Sequence, residues 1–396
     1  MNAPRIPYGR QDIRQEDVDA VVAVLRSDWL TQGPTVPRFE RSLADYCSAK
    51  HAVCVNSATS ALHIACVALG LGPGDRLWTS PNTFLASANC ALYCGADVDF
   101  VDIDLRTGNM DADALAEKLK RAESEGTLPK IVVPVHFAGQ SCDMQRIHAL
   151  GRSYGFRIVE DAAHALGGKY LGAPVGNCRY SDIAVFSFHP VKNITTAEGG
   201  VALTNDAELA ARMSRLRSHG TTNDPGRMDG EPDGPWSYQA LELGWNYRMT
   251  DVQAALGCSQ MPRIDDYVRR RAALAERYGR KLANSGLALP WTDANCASAW
   301  HLYVIGWNEE ASGISRRTAF ERLRAAGIGV QVHYIPVHTQ PSYRRLGFQP
   351  GQYPRAEAHY ARAITIPLYA TLTETQQDEV VDQLLRLSSG SARTLA

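Results

Sequence analysis

Seven lysines serve the whole chain, with arginine supplying nearly all the other positive charge. One of them stands in unusual company. Lys192 follows Ser181-Asp182-Ile183-Ala184-Val185-Phe186-Ser187-Phe188-His189-Pro190-Val191 and precedes Asn193-Ile194-Thr195-Thr196-Ala197-Glu198-Gly199-Gly200. An apolar strand ends in polar residues, the lysine follows, and a glycine pair opens the next strand. An amine just past a strand end, among apolar and hydroxyl neighbours, loses hydration of its charged form. Its pKa falls, which suits a nucleophile for a Schiff base. Lys50, Lys118, Lys120 and Lys130 read instead as residues of solvated faces or turns. A loop lysine reaching solvent is the competing reading of Lys192, and this segment alone does not separate the two.

Three further segments carry chemistry. Arg157-Ile158-Val159-Glu160-Asp161-Ala162-Ala163-His164-Ala165 delivers Asp161 at the carboxyl end of an apolar strand, the edge at which open α/β sheets bind ligands. A carboxylate there can hold a protonated pyridine nitrogen, and Ala162 and Ala163 leave room for a flat ring. An aspartate capping the next turn fits equally well. Val53-Cys54-Val55-Asn56-Ser57-Ala58-Thr59-Ser60-Ala61-Leu62-His63 passes from a strand through small hydroxylated residues into a helix. Such a helix start forms an anion cup from its N–H groups and dipole, although an ordinary N-cap has the same pattern. Thr79-Ser80-Pro81-Asn82-Thr83-Phe84 puts an aromatic at a helix start, where it could stack on a ligand or fill the core.

Other chemistries find little support. His63, His136, His148 and His219 lie among apolar or helical residues and read as structural. The sequence has no G-x-G-x-x-G, G-x-x-x-x-G-K or H-E-x-x-H motif. Its nine cysteines include no C-x-x-C pair, so reduced core thiols are expected and no metal site. Taken together, a lysine nucleophile, an aspartate for a pyridinium, a stacking aromatic and a phosphate cup are the parts that pyridoxal 5'-phosphate requires.

The elements that position these residues follow from periodicity. A helical apolar face is expected over residues 12–25, before a loop through Trp29. From residue 51, short β-branched runs alternate with helical stretches. Strands are expected near 52–56, 76–79, 98–103, 131–135, 157–160, 183–188 and 200–204, with helices at 60–69, 84–93, 112–122 and 144–154. That rhythm predicts an α/β domain with a mostly parallel sheet flanked by helices. Residues 221–236 read as a long loop, 252–282 as one arginine-rich helical region, and 299–387 as a smaller α+β unit. The expected organisation is an N-terminal segment (1–34), a large domain (35–260) and a small C-terminal domain (261–396).

Composition narrows the function classes. The 396 residues are 45% hydrophobic and 21% charged, enough to bury a sizeable core. Forty-one Lys and Arg against forty-two Asp and Glu leave no basic surplus for nonspecific nucleic-acid binding. No apolar run approaches the roughly 18–20 residues of a membrane span, and Met1–Tyr8 has no apolar signal core. A cytoplasmic enzyme is expected, without nucleic-acid or membrane partners.

Four stretches then carry a resemblance. They are Asn56-Ser57-Ala58-Thr59-Ser60-Ala61-Leu62, Glu160-Asp161-Ala162-Ala163-His164-Ala165, Phe186-Ser187-Phe188-His189 with Lys192 and Glu198-Gly199-Gly200, and Gly244-Trp245-Asn246-Tyr247-Arg248-Met249. Over nearly its whole length the chain resembles the DegT/DnrJ/EryC family of sugar aminotransferases, which have the fold type I architecture. Ile6-Pro7-Tyr8-Gly9-Arg10-Gln11, Leu30-Thr31-Gln32-Gly33-Pro34 and Thr195-Thr196-Ala197-Glu198-Gly199-Gly200 resemble the branch that aminates C4 of UDP-4-keto-6-deoxy-N-acetyl-L-altrosamine on the way to pseudaminic acid.

The resemblance implies that Lys192 carries the cofactor as a Schiff base and that Asp161 pairs with its pyridine nitrogen. Phe84 would stack on the ring, with His164 close by. Ala58, Thr59 and Ser187 would take the phosphate, and Asn246 would reach it from a partner subunit of a homodimer. Tyr8, the loop Asp28, Trp29, Leu30 and Thr31, and Val332, His333 and Tyr334 would contact the UDP-linked keto sugar. L-glutamate would be the amino donor, leaving pyridoxamine phosphate between half-reactions. Relatives with histidine in place of this lysine dehydrate sugars instead, so Lys192 favours transamination. The alternatives are another nucleotide keto sugar (4-keto or 3-keto), or a non-catalytic regulator that binds the cofactor.

Overall fold

The computed structural model describes residues 5–389. Its centre is a sheet of seven strands: β1 (His51–Val55), β2 (Arg76–Thr79), β3 (Asp97–Phe100), β4 (Ile131–Val133), β5 (Arg157–Asp161), β6 (Ile183–Ser187) and β7 (Gly200–Thr204). Their spatial order is β1-β7-β6-β5-β4-β2-β3. Strand β7 runs antiparallel to both neighbours, and the other pairings are parallel. The expected α/β class, with a mostly parallel mixed sheet, is what forms. Strands β4 and β7 are buried at every position, as strands covered on both faces must be.

Side-chain alternation assigns the two faces. Val53 and Val55 of β1 join one apolar cluster with α1 (Ala58–Ala68) and α2 (Ala86–Tyr93). Cys54 points into another, with Phe39, Leu43, Phe186 and Ile264. A separate core gathers around the antiparallel pair Tyr303–Gly306 and Ala363–Ile366, with residues of helices Ile264–Leu282, Arg316–Ala325 and Glu374–Ser388. Ile6, fully buried, belongs to that second core. Its N–H donates to the Gly327 carbonyl at 3.0 Å, and its carbonyl accepts from Gly329 at 2.7 Å.

Several local expectations need correction. The helix expected from Phe84 starts at Ala86, leaving Phe84 in the preceding loop. The strand expected over 98–103 is Asp97–Phe100, and Ile103 only bridges Met110. The first helix starts at Gln15 rather than residue 12, because Asp12 is engaged outside it, accepting from Arg14 and Tyr267. The helical region 252–282 is two helices, Asp251–Gln260 and Ile264–Leu282, separated by a 3₁₀ turn at Met261–Arg263. Pro262 there lacks an N–H and breaks the ladder. Within the long loop, Thr221–Thr222 pairs with Gln239–Ala240. Lys118 does not lie on a solvated face: its amine contacts Asp99 at 2.6 Å and sits 4.8 Å above the Trp78 ring, and burial lowers its pKa.

Candidate active site

The sheet's register brings three strand ends to one edge. Gly200, the first residue of β7, is paired with Val55 at the end of β1 and with Ser187 at the end of β6. Asp161 ends β5 beside Val185 of β6. The chain leaving β1 turns at Ser57, whose hydroxyl caps α1 by accepting from the Ser60 N–H at 3.1 Å. The N–H groups of Ala58 and Thr59 have no acceptor within the helix and open onto this edge. A Cβ at position 200 would lie 2.4 Å from the Ala58 nitrogen and 2.5 Å from the Ser57 carbonyl carbon. Only glycine leaves the cup open. Gly200→Ala is expected to weaken pyridoxal phosphate binding by the apoenzyme at least about tenfold, the equivalent of one charge-assisted hydrogen bond. Pyridoxal without its phosphate should be affected much less, and spectroscopic titration with both ligands checks the ratio.

Lys192 projects from the loop joining β6 to β7. That loop is held by its own backbone, Lys192 N–H to the His189 carbonyl at 2.9 Å and Thr196 N–H to the Phe188 carbonyl at 3.0 Å. Asn193 fastens it further, donating to the Leu166 and Ala299 carbonyls at 3.0 and 3.1 Å. Burial pushes the Lys192 amine down to about 8, against the opposing attraction of the Asp161 carboxylate. The sign gives a prediction. In the apoenzyme, acylation of Lys192 should have its midpoint near pH 8, and Asp161→Asn should move that midpoint lower by removing the attraction. Mass spectrometry of the Lys192 peptide across a pH series checks it.

Asp161 is buried, and its two oxygens are engaged differently. Oδ1 accepts from the Ala163 N–H at 3.1 Å, and Oδ2 accepts from the Ser87 hydroxyl at 2.5 Å. The Ser87 hydroxyl lies 2.8 Å from that of Thr83. Sequence reasoning missed both. Their i, i+4 spacing across the entry to α2 was the available signal, since it stacks two hydroxyls on one side of a helical turn. Ser87→Ala should reduce the rate about tenfold by freeing the carboxylate to rotate, with Ser87→Thr restoring part of it; steady-state kinetics on the three proteins decides.

Imidazoles and aromatics surround the amine. His164 accepts at Nδ1 from the Ala138 N–H (3.2 Å), which puts its ring hydrogen on Nε2, facing the Tyr334 hydroxyl at 3.1 Å. Burial, then the charge of Lys192, holds His164 well below the ordinary histidine range. The same causes push His333 down to about 3. His301, absent from the sequence reading, packs on His164 with centroids 4.4 Å apart and is lowered likewise by burial and by Lys192. Neutral imidazoles therefore line this side of the amine.

The remaining candidate residues are spread around this centre. Tyr8 packs near His333 at 5.9 Å, and its carbonyl accepts from Leu368. Val332 is half-buried beside His333. Phe84 is 60% exposed, 6.5 Å from the Tyr334 ring. Asn246 is exposed and bridges Ser218. Asp28, Trp29, Leu30 and Thr31 are exposed, and among the described residues no hydrogen bond joins them to Lys192 or Asp161. Their loop is latched instead to buried Asp251, which accepts from Gly33 and Thr35 at 2.8 and 2.7 Å. Gln253, on the same helix, donates to the Glu198 carbonyl at 2.8 Å.

Among the described residues no group of three or more His, Cys, Asp and Glu side chains could hold a metal ion, and no helix is long and apolar enough to cross a membrane. A half-buried lysine with a lowered pKa, a buried carboxylate and a glycine-opened helix start on one sheet edge fit a phosphorylated pyridine aldehyde.

Comparison with known proteins agrees with that chemistry. The chain is 38% identical over 389 residues to the spore coat polysaccharide biosynthesis protein SpsC of Bacillus subtilis, covering 98% of each. Helicobacter pylori PseC, an aminotransferase involved in the biosynthesis of pseudoaminic acid, superposes with a TM-score of 0.88 at 31% identity, covering 98% of this chain and 99% of that one. Spr1654 of Streptococcus pneumoniae in its PLP form matches with a TM-score of 0.86 at 32% identity, covering 97% and 98%. The model of the DegT/DnrJ/EryC1/StrS aminotransferase family matches residues 11–385. With a lysine, an aspartate and an anion cup assembled on one edge of a matching fold, the chain belongs to the DegT/DnrJ/EryC1/StrS aminotransferase family.

Proposed function

We propose that this enzyme binds pyridoxal 5'-phosphate at Lys192 and transfers an amino group from L-glutamate to C4 of a UDP-4-keto-6-deoxy-N-acetyl-hexosamine. The product would be UDP-4-amino-4,6-dideoxy-N-acetyl-β-L-altrosamine, for pseudaminic acid synthesis. The observation that carries the reading is the Lys192 amine, lowered to about 8 and set near Asp161, beside a cup that a Cβ at Gly200 would close. When bound, the cofactor supplies an electron-withdrawing ring that stabilises negative charge on the carbon under reaction.

The chain's residues do the rest. Ala58 and Thr59, by their N–H groups, and Ser187, by its hydroxyl, bind the phosphate. Asp161 keeps the proton on the ring nitrogen, held in orientation by Ser87. Phe84 and His164 flank the ring. Lys192 would hold the cofactor covalently, and its free amine would take the proton from the donor's Cα. In the second half-reaction Lys192 returns a proton to C4 of the sugar. Tyr8, the loop Asp28–Thr31, and Val332, His333 and Tyr334 bind the nucleotide sugar. Exposed Asn246 completes the cup of a second copy, so the working unit is a homodimer, in the cytoplasm.

The likeness to PseC supports this sugar, while the higher identity to SpsC favours a second reading, a different nucleotide keto sugar handled by the same chemistry. Incubation with L-glutamate and a panel of UDP- and dTDP-linked keto sugars, with mass spectrometry and NMR of C4, separates them. Amination of the UDP-4-keto-L-altrosamine substrate at least tenfold faster than of every other panel member is expected. Preference for another sugar would replace the first reading by the second.

A further inference from the structure

A second cleft shares Phe137 with the surroundings of the active centre. Phe137 is buried, and its ring centroid lies 6.2 Å from that of Tyr334 and 5.5 Å from that of His359. With Leu302, Val304 and Ala363 it forms a small apolar cluster where the strand pair Tyr303–Gly306 and Ala363–Ile366 meets the large domain. That cluster floors the cleft, whose volume is about 690 Å³ with its mouth included. Lys192, Asp161, His164 and Tyr334 do not line it.

The walls differ from the floor. Trp291, 41% exposed, and half-buried Trp300 both face the cleft. The Trp300 ring stacks on Tyr303 with centroids 5.8 Å apart. Arg106 sits 4.7 Å above the Trp291 ring and is tied to Asp104 at 2.8 Å. Arg362 is exposed at the same cleft, and among the described residues no hydrogen bond or ion pair engages its guanidinium. No carboxylate lines the cleft. The adjoining cleft, which shares Arg106 and Trp291, has five aspartates against two arginines. An anion is therefore favoured at Arg362 and disfavoured next door. Two polar side chains complete the lining. Gln140 accepts at Oε1 from the Asp293 N–H at 3.0 Å, which leaves its amide donors without an acceptor among the described residues. The Ser298 hydroxyl accepts from the Trp300 N–H at 3.0 Å, its own proton uncommitted.

We propose that this cleft binds a nucleoside 5'-monophosphate, its base against the indole walls and its phosphate on Arg362. An indole offers a flat apolar face to any base. A guanidinium matches phosphate geometry with two parallel donors, and this one has no competing carboxylate. Gln140 and Ser298 supply donors for the ribose oxygens. The volume falls within the roughly 300–1,000 Å³ of small-molecule sites, which favour domain boundaries. An inorganic anion alone would leave the indoles and the apolar floor unused. The site stands apart from Tyr8, Asp28–Thr31 and Val332–Tyr334, so it does not rest on the sugar assigned above.

Isothermal titration calorimetry of the enzyme loaded with pyridoxal phosphate, using adenosine 5'-monophosphate and adenosine as probes, tests the site. One monophosphate per chain is expected, with adenosine at least about tenfold weaker. Arg362→Gln should bring the monophosphate down to the level of adenosine and leave adenosine unchanged. Trp291→Ala should weaken both at least about tenfold, with Trp291→Phe keeping part of the affinity. Both positions lie outside the catalytic centre, so the glutamate half-reaction should run at the parental rate, which also shows that the variants fold. Photolabelling with 8-azidoadenosine 5'-monophosphate should mark the peptide that contains Trp291 or Trp300. The proposal is overturned by absence of binding up to about 10 mM, by an undiminished monophosphate affinity in Arg362→Gln, or by a label confined to the peptides of Asp28–Thr31 or Val332–Tyr334.

Discussion

Lys192→Ala enzyme, purified with pyridoxal phosphate present, is expected to show no measurable turnover and to lose the visible absorbance of the lysine-bound cofactor. The argument has two parts. A positioned general base contributes about 10²–10⁴-fold by itself, and covalent attachment through the same amine is lost with it. No nearby group can substitute. With the charge of Lys192 gone, burial, the larger cause, still holds His164, His301 and His333 below the ordinary histidine range. A neutral imidazole can accept a proton, but it cannot form the covalent link. The variant should still bind pyridoxal phosphate through the cup of Ala58, Thr59 and Ser187, now reversibly. Turnover within about tenfold of the parent would reject the role assigned to Lys192.

Asp161→Ala should lose at least about a hundredfold in rate while retaining some cofactor. A hydrogen bond to a charged group contributes about 1.5–3 kcal/mol, one to two orders of magnitude in rate. On the proposed reading the loss would also remove the group that keeps the ring nitrogen protonated, and so weaken the electron sink as well. Asp161 reaches its position as the last residue of β5, fixed by Ala163 and Ser87. Its deletion further leaves the Ser87 hydroxyl without its acceptor. Single-turnover kinetics with L-glutamate isolates the chemical step from sugar binding; a rate near that of the parent would remove Asp161 from the mechanism.

The sequence made the fold's outline legible because its strands are short apolar runs between clear breaks. Strand β6, Ile183–Ser187, and strand β7, Gly200–Thr204, differ from expectation only at the end of β6, and the residues between them form the lysine loop. Legibility failed where the deciding force was tertiary. Periodicity carries through Pro262, so the break between Gln260 and Ile264 was invisible as an apolar pattern, although proline signals it. Lys118 reads as a surface residue because a helix face says nothing of what folds over it. Asp99 and Trp78, distant in sequence, take it in.

The site follows the same rule. Lys192, Asp161 and the Ser57 helix start were conspicuous because each lies at or shortly after the end of an apolar strand. Ser87 was not, since one serine among the small residues of α2 gives no hint that it faces Asp161, 74 residues away. The contact of Gly200 with Ala58 likewise depends on β7 inserting beside β1, which no local pattern encodes. The loop Asp28–Thr31 is the reverse case. It stands out in sequence, yet within one chain it is exposed and latched to Asp251.

The most direct measurement is borohydride reduction of the purified enzyme loaded with pyridoxal phosphate, followed by proteolysis and tandem mass spectrometry. The account predicts one stoichiometric phosphopyridoxyl adduct, on the Lys192 side chain, with the other six lysines unmodified. An adduct on a different lysine, or none at all, would contradict it.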